Sequence, residues 1–157
     1  MSRRRVLALA AVLVAAGVSV SELAAQTGDT RTIQVTANVR GSCRFESTPN
    51  INFGDLDPAL ATDKEQVVDV SFKCSKGATY LLTIGDGLNF SSGTNRMAAA
   101  AGTDFIAYEI TPKSLNGTGK GFGVSDIIQV TGTVRGPNYQ NVSQGAYADT
   151  VTLSIQP

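Results

Sequence analysis

The 157-residue chain has no histidine and no tryptophan, and its aromatic content stops at six phenylalanines and four tyrosines. The absence of histidine removes His-based catalytic triads, the side chain that ordinarily titrates near neutral pH, and the commonest transition-metal ligand. Thirteen basic residues balance thirteen acidic ones. Neither sign gathers into a block, so nucleic acid is not an expected partner. The longest apolar run, "VLALAAVLVAAGV", has 13 residues and is too short to cross a bilayer as a helix. No composition shift marks a second domain, and no internal repeat is visible. What the sequence does have is Gly, Thr, Val and Ser in short alternating runs, a usage that favours strands and turns over helices.

The first residues stand apart. "MSRRR" is a positively charged start, the 13-residue run follows, and "SVSELAAQ" offers small residues for cleavage. This is the layout of a secretory signal peptide over residues 1–25, with Ala25 its last residue and Ser21 an alternative. "SRRRVL" loosely resembles a twin-arginine signal, though an ordinary charged start accounts for it as well. Cleavage removes three arginines and one glutamate, leaving 10 basic and 12 acidic residues. Both cysteines, Cys43 and Cys74, survive it. An even pair in an exported protein reads as a disulfide, the alternative being two buried thiols. Such a bridge closes a loop of about 30 residues and stabilises by roughly 3–4 kcal/mol on the chain-entropy model.

Along the mature chain, apolar residues recur at every second position. In "TRTIQVTANVRGSC", Ile33, Val35, Ala37 and Val39 alternate with polar neighbours. "PNINFGDLDP" reads as a short strand closed by a turn. "QVVDVSFKC", "ATYLLTIGDG", "DFIAYEITP" and "DIIQVTGTVRG" read as strands, with Val68, Val70, Phe72 and Cys74 on one face and Ile106, Tyr108 and Ile110 on another. The stretches Leu88–Gly102 and "KSLNGTGKGFGVS" read as loops, the alanine run being too short to stand as a helix. The chain closes on "GAYADTVTLSIQP", where Tyr147, Val151, Leu153 and Ile155 share a face and Asp149 breaks the pattern. Six body strands and a seventh N-terminal segment suggest an all-β, immunoglobulin-type sandwich. It is odd that a half-buried strand comes last, with no strand after it to pair with.

Other motifs carry little. Asp55 and Asp57 in "DLDP" are neighbouring acids in a turn, too few for a calcium site. "NGTGKGFG" lacks phosphate-loop spacing and a following helix. "NFS", "NGT" and "NVS" match the N-glycosylation pattern, which is short enough to arise by chance. No enzyme activity and no cofactor or metal is expected.

Three segments in order, "SCRFESTPNINFGDLDP", "VDVSFKCSKGATYLLTIGDG" and "QGAYADTVTLSI", resemble the spore coat protein U domain family, which includes pilin subunits of archaic chaperone–usher pili. The resemblance covers Thr30 to Pro157. It implies an immunoglobulin-like pilin β-sandwich lacking its final strand, with an N-terminal donor strand. It divides the chain into a signal peptide (1–25), an N-terminal extension (26–40) and a body (41–157). It implies a Cys43–Cys74 disulfide, a donor strand whose plugs are Ile33, Val35, Ala37 and Val39, and a groove-edge strand bearing Tyr147, Val151, Leu153 and Ile155. The partners implied are a periplasmic pilus chaperone, an outer-membrane usher, and identical or related subunits. The location implied is the cell surface, reached through the periplasm. The alternative reading is a secreted monomeric immunoglobulin-like coat or adhesin module.

Overall fold

The computed structural model describes residues 28–47 and 49–157; the expected signal segment lies outside them. Two compact units divide the chain, Met1–Ala37 and Asn38–Pro157. In the first, residues 28–37 form neither helix nor strand and are exposed throughout. Arg31 pairs with Asp29 at 3.0 Å on the surface. The alternation from Ile33 onward is therefore not expressed as a ladder within this chain. A period of two makes a strand only where a neighbour supplies hydrogen bonds to both rows of backbone groups.

Among its described residues the second unit is a two-sheet sandwich of nine antiparallel strands: β1 (Cys43–Phe45), β2 (Lys64–Cys74), β3 (Thr79–Gly87), β4 (Asn95–Ala99), β5 (Phe105–Thr111), β6 (Ser114–Thr118), β7 (Asp126–Val134), β8 (Tyr147–Ala148) and β9 (Val151–Gln156). One sheet has the order β1-β2-β7-β5-β4-β8, the other β6-β3-β9. The expected strand faces hold. Val70, Phe72 and Cys74 are buried on β2, as are Ile106, Tyr108 and Ile110 on β5. With Leu82 and Ile84 of β3 and Val130 and Val134 of β7 they form the core between the sheets. Phe72 meets Tyr80 edge-on at 5.0 Å, the favoured arrangement of two ring quadrupoles.

Three segments differ from the expectation. β4 forms in the stretch read as a loop with an alanine run, and β6 forms in the glycine-rich stretch. Both are weak by propensity but are paired by tertiary neighbours, β4 with β5 and β6 with β3. Conversely, "INFG" is not a strand. Residues 49–57 make no ladder, although Ile51 and Phe53 are half-buried and Asn52 between them is exposed. Gly132 of β7 makes room for that burial. A Cβ there would come 2.8 Å from Ile51 Cγ2 and 3.1 Å from the Phe53 ring, so the two side chains rest on bare backbone. Asp57 ends the segment by accepting the Ala59 amide at 2.9 Å.

The cysteines lie directly opposite each other in the β1–β2 register and form the Cys43–Cys74 disulfide. Beyond β1, Ser42 and Ser75 prolong the pairing: the Ser75 amide donates to Ser42 O at 2.8 Å, and the Ser42 amide to Ser75 Oγ at 3.1 Å. Gly41 is thereby held against Pro157, where a Cβ would stand 3.3 Å from the proline Cβ. The chain thus enters the sandwich beside the end of β9.

Candidate functional site

β9 is the unusual element. It pairs with β3 along Leu81↔Gln156 to Gly87↔Val151, with a bulge between Ile84 and Gly87. Its other edge has no strand partner among the described residues. The side chains follow the sequence: Val151, Leu153 and Ile155 are half-buried, whereas Thr152 and Ser154 are exposed. A strand that turns apolar residues inward and leaves its amides unpaired is ordinarily blunted by charge or covered. Here no charged residue lies between Thr150 and Gln156.

Beside that edge the sandwich is open. A cleft of about 270 Å³ reaches core residues Val70, Ile84 and Val130 and is flanked by Val151 and Leu153. A second, of about 650 Å³, is lined by Phe53, Leu56, Met97, Ile106, Val142 and Tyr147. Ile51 borders both. Together they trace a path between the unpaired stretch 49–57 on one side and β8 and β9 on the other, with Asn50, Asn52 and Gln144 among its apolar lining. The apolar surface left partly uncovered belongs to the half-buried rim residues Ile51, Val151 and Leu153.

The smaller cleft holds one carboxylate. Between β8, which pairs with β4 of the larger sheet, and β9, which pairs with β3 of the smaller, the chain crosses at Asp149. The Asp149 carboxylate accepts the Tyr108 hydroxyl at 2.7 Å, and the Asn89 amide and Nδ2 at 3.2 Å each. Burial, then the bond to Asp149, push the Tyr108 hydroxyl far above its ordinary range, so it stays a donor. Gly87 lies under the carboxylate and leaves no room for a Cβ. The exception in the "AYADTVTLSI" alternation is thus the hub that fastens the crossing between the sheets. Its signal in the sequence was the interruption itself.

Of the expected site residues, Tyr147, Val151, Leu153 and Ile155 fall in one half-buried line along this path. Ile33, Val35 and Val39 are each nearly nine-tenths exposed, and Ala37 is exposed too. Sequence reasoning did not assign Ile51, Phe53 and Leu56 as the opposing wall, although their spacing was visible. Among the described residues no cluster of metal-ligating side chains occurs, and no helix is long and apolar enough to cross a membrane.

The family model described as the Spore Coat Protein U domain matches residues 29–154. None of the curated proteins matches the sequence. Among solved structures, the chain is similar to one in the crystal structure of the CsuC–CsuE chaperone–tip adhesion subunit pre-assembly complex from archaic chaperone–usher Csu pili of Acinetobacter baumannii. The TM-score is 0.52 at 19% identity, over 75% of this chain and 40% of that one. A chaperone–tip adhesin complex of CFA/I fimbriae biogenesis is more distant, with a TM-score of 0.43 at 11% identity, over 74% of this chain and 41% of that one. The chain therefore spans less than half the length of the structures it matches.

Proposed function

The chain belongs to the Spore Coat Protein U domain family, and from that membership and the open groove beside β9 we propose that it is a structural subunit of a surface fibre, an archaic chaperone–usher pilus, that polymerises by strand donation. The single observation that carries the reading is an edge strand with half-buried apolar side chains, unpaired backbone and a cleft reaching the core. The complement is the segment Thr30–Val39, whose apolar residues have the matching period of two and find no cover of their own. β-Strand addition joins the two: main-chain hydrogen bonds supply affinity, and alternate side chains in the clefts supply register.

Polarity follows from Gly41 and Pro157. Because the two lie side by side, each body releases its leading segment at the end of its own β9. A segment running antiparallel to β9 of the next copy emerges at that copy's Tyr147 end, so unlike ends meet and the contact repeats without closing. A parallel segment brings like ends together and closes a two-fold pair. A fibre requires the antiparallel arrangement.

Before its neighbour arrives, a body with this groove is an aggregation hazard. A periplasmic chaperone that lends a temporary strand, and an outer-membrane usher at which one strand replaces the other, fit that need. The decisive experiment substitutes Ile33→Asp together with Val35→Asp and expresses the variant with its chaperone. The expected outcome is a folded body that co-purifies with the chaperone and yields no polymer ladder. Fibres of normal length from this variant would overturn the reading.

A further inference from the structure

We propose that the leading segment seats in one register, in which Ile33, Val35, Ala37 and Val39 oppose Leu153, Val151, Asp149 and Tyr147 of the next copy. The inference rests on the strand donation proposed above and specifies its alignment. Strand periodicity restricts the choice to steps of two residues, since a slip of one turns every apolar side chain to solvent.

Asp149 selects among the steps. Its carboxylate, held by Tyr108 and Asn89, is the one charged group on the line Tyr147, Asp149, Val151, Leu153 and Ile155. A branched side chain facing it would desolvate a carboxylate without offering a hydrogen bond. Ala37 is the smallest of the four plugs and the only one whose methyl leaves that carboxylate room. In the proposed register the smallest plug meets the carboxylate. Ile33 and Val35 enter the cleft of about 270 Å³ beside Leu153 and Val151, and Val39 enters the cleft of about 650 Å³ beside Tyr147. Arg31 then falls opposite Ile155, where its aliphatic stem covers the isoleucine while the guanidinium stays in water.

The two neighbouring registers fail on the same residues. Shifted toward the end of β9, Ile33 opposes Ile155, Ala37 is spent in the apolar cleft, Val39 lies on Asp149, and the larger cleft receives nothing. Shifted the other way, Val35 lies on Asp149, and Leu153 and Ile155 are left uncovered.

Cysteine pairs at outward-facing positions read the register directly. Directly opposed residues have Cα atoms about 4.5–5.5 Å apart, within disulfide reach, and residues one step along, at about 7–8 Å, fall outside it. Full-length Gln34→Cys/Thr152→Cys is expected to give a reductant-sensitive covalent ladder when co-expressed with the assembly machinery, and Gln34→Cys/Ser154→Cys is expected to give none. A ladder from the Ser154 pair, or from both pairs, overturns the register and leaves strand donation standing. Fibres from both variants with no ladder from either overturn the proposed register too. Ala37→Leu supplies an independent readout in a segment that contributes nothing to the body's own core: the proposed register predicts loss of polymer with chaperone binding retained. In the register shifted toward Ile155 the larger side chain fills the apolar cleft, so undiminished polymer from Ala37→Leu counts against the proposal.

Discussion

The hydroxyl of Tyr108 donates to Asp149 Oδ2 at 2.7 Å, tying the middle of β5 to the point where the last two strands change sheets. Removing the carboxylate strands several partners at once. Asp149→Ala leaves the Tyr108 hydroxyl and the Asn89 donors without their acceptor, and is expected to lower unfolding free energy by about 2–4 kcal/mol. Tyr108→Phe, which leaves the Asn89 bonds in place, should cost less, about 1–2 kcal/mol. Urea titration of the purified protein measures both.

Gly87 gives a companion test. A methyl group there collides with the Asp149 carboxylate, so Gly87→Ala should destabilise by about 1–3 kcal/mol through overpacking. Most of that cost should vanish in an Asp149→Ala background. A double-mutant cycle reads the coupling, and additivity would show that the two sites do not touch.

The disulfide joins residues 31 apart in sequence. Cys43→Ser/Cys74→Ser, or reduction of the native protein, is expected to remove about 3–4 kcal/mol of stability. Urea midpoints with and without reductant check this. The loss should loosen the entry of the chain beside Pro157 before it reaches β7.

Acid should weaken the same corner. Glu46 accepts from Ser71 Oγ at 2.9 Å and Ser125 Oγ at 2.5 Å, and pairs with Lys73 at 2.6 Å. The Lys73 bond first, then the two serines, lower its pKa from 4.5 to about 2. A depressed folded-state pKa contributes stability that is complete above the unfolded value and fades as pH falls through the folded one. Asp63, held by the Gly136 amide and Arg135, is lowered in the same direction. Melting temperature should therefore be level from neutrality to about pH 5 and decline between about 4.5 and 2. Glu46→Gln should lower it near neutrality and flatten that decline.

Much of the sandwich was legible because its central strands are half-buried in regular alternation. Val70, Phe72, Ile106, Tyr108 and Ile110 announce their faces by spacing alone, and so do Val151, Leu153 and Ile155. β4 and β6 were not legible. Their residues, among them Ala98, Ala99 and Gly117, have little strand preference and are ordered by neighbours distant in sequence. "INFG" erred in the opposite direction. Its alternation reports side chains lying on Gly132, and periodicity cannot tell that from a hydrogen-bonded ladder. Asp149 was visible only as an exception, because its partners Asn89 and Tyr108 are 60 and 41 residues away. For Thr30–Val39 the alternation is plain in the sequence and is not expressed as a strand within the described residues.

The closeness of Gly41 to Pro157 also dictates where a reporter can be attached. If copies join by strand donation as proposed, an affinity tag or fluorophore fused after Pro157 would hang at the exit of the leading segment and obstruct the joint between neighbours.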